Sequence, residues 1–241
     1  LFQQLTRECW VVAPRSIASS PFNTWHARGA QSIDYNSMPE MFSRLADLLH
    51  EADAPRFIYA YYPELDTHSH RYGTDSEQAQ QTLAALDVVF GEFLRAIRGT
   101  DTWLIATADH GFIDSPPDRV VNLDEHRQLA ALLARPLCGE RRAAYCYVSH
   151  ANRPAFETYI GRNLGHCVDL HPSSALIEAG WFGPPPYHPR LASRVGDYTL
   201  VMKDNWTIKD WLPGEKHYRM LGVHGGVSRD EMLVPLIAAR V

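Results

Sequence analysis

Cysteine is scarce in this chain: four residues, Cys9, Cys138, Cys146 and Cys167, stand far apart and no pair has C-x-x-C spacing. That excludes a disulfide-dense scaffold and a cysteine-type zinc knuckle, and it favours reduced thiols in a cytoplasmic setting. Long apolar runs are also lacking. None approaches the ~20 residues of a membrane span, so the sequence carries no membrane segment. Basic residues are not in excess either. The formal net charge is −5, which gives no electrostatic reason for a nucleic-acid-binding surface. There is no internal repeat and no low-complexity stretch. No initiating Met is present, since the chain opens Leu-Phe-Gln-Gln. What remains is a chain of 241 residues, 45% hydrophobic and 21% charged, ordinary for a globular protein and long enough to bury a sizeable core.

Periodicity predicts alternating strands and helices. Residues 10–13 form a short apolar strand ended by Pro14. Ser37 opens a helix, with Glu40 three residues on completing a capping box and Met38, Met41, Phe42, Leu45, Leu48 and Leu49 at helical spacing. Residues 56–62 read as a buried strand ended by Pro63. Residues 77–97 form a longer helix that Asp75 or Ser76 can cap, and 102–107 form another buried strand. Strand, helix, strand in this order predicts right-handed crossovers and a parallel sheet, an α/β fold. From about residue 120 to 196 the pattern loosens. It holds a strand at 143–148, helices at 155–163 and 173–179, and the Pro-rich run Gly183-Pro184-Pro185-Pro186. This region is expected to be an inserted cap subdomain, after which the sheet resumes at 198–202 and 232–237.

Three motifs carry metal-ligand residues: Asp66-x-x-x-His70, Asp109-His110-Gly111 and His224-Gly225-Gly226. Each follows an apolar strand, and in parallel sheets ligands gather at the carboxyl ends of strands. On a helical turn Asp66 and His70 share one face and can share one cation. The alternative is a helix cap beside an exposed histidine. Asp109 and His110 reach one ion if the backbone turns sharply, which Gly111 permits; the alternative is a capping loop. Two glycines after His224 let the backbone approach a metal or phosphate closely, and a plain Gly-rich turn is the alternative there. His68 points to another face of its turn and is left outside the ligand set. The other histidines have no partner spacing, although His217-Tyr218 lies close enough to His224 in sequence to line a pocket. Arg141-Arg142 offers an anion site or, more simply, a solvated pair before a strand.

The runs Tyr61-Tyr62-Pro63-Glu64-Leu65-Asp66-Thr67-His68-Ser69-His70-Arg71-Tyr72-Gly73, Thr107-Ala108-Asp109-His110-Gly111-Phe112 and Gly222-Val223-His224-Gly225-Gly226-Val227-Ser228 together resemble the nucleotide pyrophosphatase/phosphodiesterase family of the alkaline phosphatase superfamily, over nearly the whole chain. The resemblance implies a mostly parallel sheet flanked by helices, in a single catalytic domain over residues 1–241. It implies two zinc ions, with manganese as the alternative: one held by Asp66, His70 and His224, the other by Asp109 and His110. It also implies an earlier Asp ligand and a Thr or Ser nucleophile. No Asp-Gly strand end followed by a Thr/Ser helix start is found here, and Ser16, Ser19, Ser20 and Thr24 have no accompanying ligand. The chain is therefore expected to be the C-terminal portion of such an enzyme, incomplete at its N-terminus. The implied activity is hydrolysis of a phosphodiester or pyrophosphate bond in a small phosphoester substrate. Other reactions of the superfamily (phosphomonoester, phosphonate or sulfate ester hydrolysis, or phosphomutase chemistry) and a non-catalytic metal-binding fragment stand as alternatives.

Overall fold

The computed structural model describes residues 1–241 and divides into two compact units. The first comprises Leu1–His68, Asp75–Thr107 and Pro235–Val241. Its central strand, Glu8–Pro14, pairs in parallel with Gln31–Tyr35 on one side and Arg56–Ala60 on the other. The continuous apolar run drives this: residues 11–14 are all buried, and the completely buried Val12 sits in register with Ile33 and Ala60. The helix Met38–His50 begins at Ser37, whose hydroxyl accepts from the Glu40 amide. The predicted capping box is shifted by one residue. The Glu40 carboxylate reaches back to the amide of Asn36, at 2.8 Å, rather than to that of Ser37.

Met41, Phe42, Leu45 and Leu48 from this helix bury against Phe93 and Ile97 from the end of the helix Glu77–Ala96. The Phe42 and Phe93 rings lie 5.1 Å apart. Ser76, not Asp75, caps the longer helix, accepting from the Ala79 amide. The strand Trp103–Thr107 pairs antiparallel with Leu236–Arg240. The last strand starts later than its apolar run predicts because Arg229–Met232 first closes a helical turn. The strand Gln31–Tyr35, too polar to stand out in the sequence, was not anticipated.

The second unit comprises Ser69–Thr74 and Ala108–Val234. Its four-stranded sheet runs in the order Cys138–Gly139, Ala143–Cys146, Tyr198–Met202, Val168–Pro172, with every pairing antiparallel. Residues 198–202, expected to resume the parallel sheet, are instead a central strand of this one. All five are buried, so their continuous apolar run could not distinguish the two settings. The helix Arg153–Tyr159 and the π turn Ile160–Leu164 that follows cover the sheet through Phe156, Ile160 and Leu164, which pack with Leu200 and Cys167. Two short pairs complete the unit: Ile113–Asp114 antiparallel with Gly222–Val223, and Val120–Asn122 parallel with Thr207–Lys209. All four cysteines are free thiols, and burial raises the pKa of Cys146. No helix is long and apolar enough to cross a membrane.

Candidate metal centre

The three motifs fall where loops and helix starts follow strands. Asp66 and His70 lie on the helix Glu64–Tyr72, which opens four residues after the strand Arg56–Ala60. Asp66 is inside the first turn rather than capping it, and His70 follows one turn later on the same side. His68, on another side, places Nδ1 2.5 Å from the Thr82 hydroxyl. Asp109 and His110 come directly after the strand Trp103–Thr107, and His224 directly after Gly222–Val223.

In the second unit these loops bring three imidazoles together. The His110 and His224 rings stack with centroids 3.5 Å apart, and each offers a ring nitrogen within 4.8 Å of the other's. The His70 ring is 5.0 Å from that of His224. Phe112 stands edge-on to all three rings at 5.1–5.2 Å. Hydrogen bonding sets the tautomers. His70 Nδ1 is 2.8 Å from the Gly222 carbonyl and His110 Nδ1 is 3.0 Å from that of Gly111. A carbonyl only accepts, so in the neutral rings each Nδ1 carries the proton and each Nε2 keeps its lone pair. This is the arrangement that orients a histidine for a metal. Asp109 leaves 68% of its side chain exposed, with Oδ1 3.6 Å from His110 Nε2.

Close backbone approach holds the loops. Leu221 donates to the His70 carbonyl at 2.8 Å, and a Cβ on Gly222 would sit 2.3 Å from the Ser69 carbonyl oxygen. The backbone does bend at Asp109, but Gly111 serves that loop through the space it leaves and not through a positive φ. A Cβ there would meet the Asp230 carbonyl oxygen at 1.9 Å, while its amide donates to the Glu231 carbonyl at 2.8 Å. Gly225 does adopt a positive φ, +96°.

Glu231 and Arg142 organise these loops, and neither stands out in the sequence. Both side chains are 1% exposed and form a two-pronged ion pair, Nε to Oε1 at 3.0 Å and Nη2 to Oε2 at 2.8 Å. The same carboxylate accepts from the Gly226 amide and the Ser228 hydroxyl, and Arg142 Nη1 also donates to the Trp206 carbonyl. Burial pushes the Glu231 pKa up, but the bonds from Arg142, Ser228 and Gly226 outweigh it and leave the group below its ordinary value. The solvated pair expected at Arg141-Arg142 is thus wrong for Arg142. The signal was alternation: Arg142, Ala144, Cys146 and Val148 all lie on the buried face.

Beside the imidazoles opens a cavity of about 310 Å³ lined by His70, His224, Arg141, Lys209 and Tyr218, among others. Of the pair His217-Tyr218, Tyr218 lines this cavity with two of the histidines, as its nearness in sequence suggested, whereas His217 does not.

The model for the type I phosphodiesterase / nucleotide pyrophosphatase family matches residues 14–227. The human bis(5'-adenosyl)-triphosphatase ENPP4 is 30% identical over 219 residues, 86% of this chain and 44% of that protein. An uncharacterized pyrophosphatase/phosphodiesterase of Schizosaccharomyces pombe is 24% identical over 90% of this chain and 48% of its own length. The chain therefore spans about half the length of these curated relatives. Among solved structures, an inactive variant of murine ectonucleotide pyrophosphatase / phosphodiesterase 5, in complex with AMP, superposes with a TM-score of 0.67 at 17% identity, over 98% of this chain and 61% of that one. Phosphonoacetate hydrolase from Sinorhizobium meliloti, in complex with phosphonoformate, gives 0.68 at 17% identity, over 99% and 67%. These likenesses confirm the α/β, alkaline-phosphatase-like fold. The family match, running over most of the chain, places the protein in the type I phosphodiesterase/nucleotide pyrophosphatase family.

Proposed function

We propose that the protein of which this chain is part is a metal-dependent hydrolase that cleaves the phosphodiester or pyrophosphate bond of a small, nucleotide-like substrate. The observation that carries this reading is the gathering of His70, His110 and His224, two of them held by backbone carbonyls in the tautomer that offers Nε2. The likeness to a bis(5'-adenosyl)-triphosphatase supports the substrate class.

The donor set fits a metal. Imidazole with carboxylate suits zinc, and manganese is the alternative. In the proposed assignment Asp66, His70 and His224 hold one ion and Asp109 with His110 the second. The bound ions would neutralise phosphoryl charge and lower the pKa of an attacking hydroxyl. The chain's own contribution is to hold the imidazoles in place through the Gly222, Gly111 and Glu231 contacts. We further propose that the attacking hydroxyl is a Thr or Ser of a segment preceding Leu1, and that residues 120–196 act as a cap that shapes specificity.

Native mass spectrometry of the full-length protein, paired with hydrolysis of bis(4-nitrophenyl) phosphate and 4-nitrophenyl phosphate, tests the reading. Two zinc ions and a preference for the diester are expected. His224→Ala should lose one ion and several orders of magnitude in rate; wild-type turnover in that variant would sink the assignment. A preference for the monoester would shift the reaction to phosphomonoester hydrolysis.

A further inference from the structure

Beyond the imidazole cluster, the second unit holds another cavity, of about 330 Å³, lined by Ser115, Pro117, Val120, Arg141, Trp211, His217, Tyr218, Arg219 and Met220. Its charged lining residues are two arginines, with no carboxylate. Its aromatic lining is ordered: His217 stacks on Trp211 with centroids 4.2 Å apart, and Tyr218 stands edge-on to Trp211 at 5.7 Å. Arg141, Tyr218 and Met220 also line the cavity that reaches His70 and His224. These three residues are therefore a common wall between the imidazole cluster and the aromatic cavity.

Arg141 is the informative member. Its guanidinium carbon lies 5.0 Å from the Tyr218 ring and 5.5 Å from the Trp211 ring. Its Nη2 is buried and has no hydrogen-bond partner. A buried donor without an acceptor is unfavourable and uncommon, and it asks for an explanation. The neighbouring cation does not share this condition, because Lys209 Nζ donates to Glu215 at 2.8 Å. A guanidinium placed over two aromatic rings with a donor unused is suited to an anionic acceptor such as a phosphate or carboxylate.

Resting on the hydrolase reading, we propose that Arg141, with Trp211 and Tyr218, binds the part of the substrate remote from the scissile phosphorus, and that this part combines an anionic group with a flat ring. Arg141 receives the anion and the Trp211–Tyr218 wall receives the ring. A substrate occupying both cavities would pass Arg141, Tyr218 and Met220, which line both, with its reacting phosphorus beside the imidazoles. Arg141 is a specificity-determining residue in this arrangement, not a catalytic one.

The test reads binding, not turnover. AMP, orthophosphate and adenosine are titrated calorimetrically into the EDTA-treated full-length protein, so that no metal holds the phosphate. AMP should bind, and orthophosphate and adenosine, each carrying half of the recognition, should bind more weakly. Arg141→Met should weaken AMP by roughly tenfold or more, as the loss of a charge-assisted hydrogen bond implies, with Arg141→Lys recovering part of the loss. Trp211→Leu should weaken AMP and adenosine while leaving orthophosphate unchanged, and it carries the test should Arg141→Met fail to fold. Unchanged AMP affinity in a folded Arg141→Met or in Trp211→Leu, or no AMP binding by the wild type, would overturn the proposal. Absence of hydrolysis in the metal-loaded protein would overturn the hydrolase reading alone, so the two failures are distinguishable.

Discussion

In the first unit the interior is made of apolar contacts: Val12, Met41, Phe42, Leu45, Leu48, Phe93 and Ile97 pack beneath and around a parallel sheet. In the second, an equally apolar cluster around Phe156 and Leu200 coexists with buried polarity. Ser69, Ser115, Arg142, Ser173, Thr199, Thr207 and Glu231 are the buried polar or charged residues of the chain, and all belong to the second unit. They have work there. Ser173 bonds the Val195 carbonyl and Thr199, and the Arg142–Glu231 pair ties the loop after His224 to the backbone that receives Gly111. An apolar core tolerates small changes of shape, since hydrophobic burial is non-directional. A buried ion pair must be complete, because either partner left alone is a desolvated charge. The imidazole cluster of the second unit thus rests on the less tolerant kind of interior.

That contrast can be broken most forcefully at Glu231. Glu231→Ala leaves the Arg142 guanidinium buried without its partner and is expected to destabilise by about 3–5 kcal/mol, read as a lower urea midpoint, with loss of hydrolysis in the full-length protein. A fall of less than about 1 kcal/mol would show that water or another acceptor reaches Arg142. The same pair predicts a pH dependence. The folded pKa of Glu231 lies below its unfolded value, so its contribution is fully present above the ordinary carboxylate pKa of about 4.3. It is lost as the pH falls from there through the lowered folded value. Urea midpoints across that interval should therefore fall in the wild type more steeply than in Glu231→Gln, and parallel curves would contradict the role given to the pair.

The first unit supplies the smaller, contrasting effect. Ser37→Ala removes the cap of the helix Met38–His50, and a loss of about 1 kcal/mol is expected, with the imidazole cluster and bound-metal content unchanged. Disturbed metal binding in this variant would show that the effect of the cap is not confined to its own helix.

Legibility in the sequence follows the same division. The helix starts at Ser37 and Ser76 and the strand around Val12 were readable because capping and periodicity are local and act through neighbours in the chain. So were the positions of the three motifs, since each sits just past an apolar strand. The strand 198–202 was placed in the wrong sheet because a continuous apolar run is equally suited to a parallel or a central antiparallel strand. Arg142 was misjudged because a pair of arginines is usually solvated. Its burial depends on Glu231, 89 residues away, and no local pattern announces that partner.

By itself, then, the sequence determined the α/β alternation, the family and the residue types offered to a metal, because these depend on spacing along the chain and on side-chain chemistry. Only the tertiary structure decided which imidazoles meet, which of their nitrogens keep a lone pair, why Gly111 admits no side chain, and which arginine is buried in an ion pair while its neighbour faces an aromatic cavity. Those are consequences of distances between residues remote in sequence, and of an interior where a polar group must find its partner at a definite place.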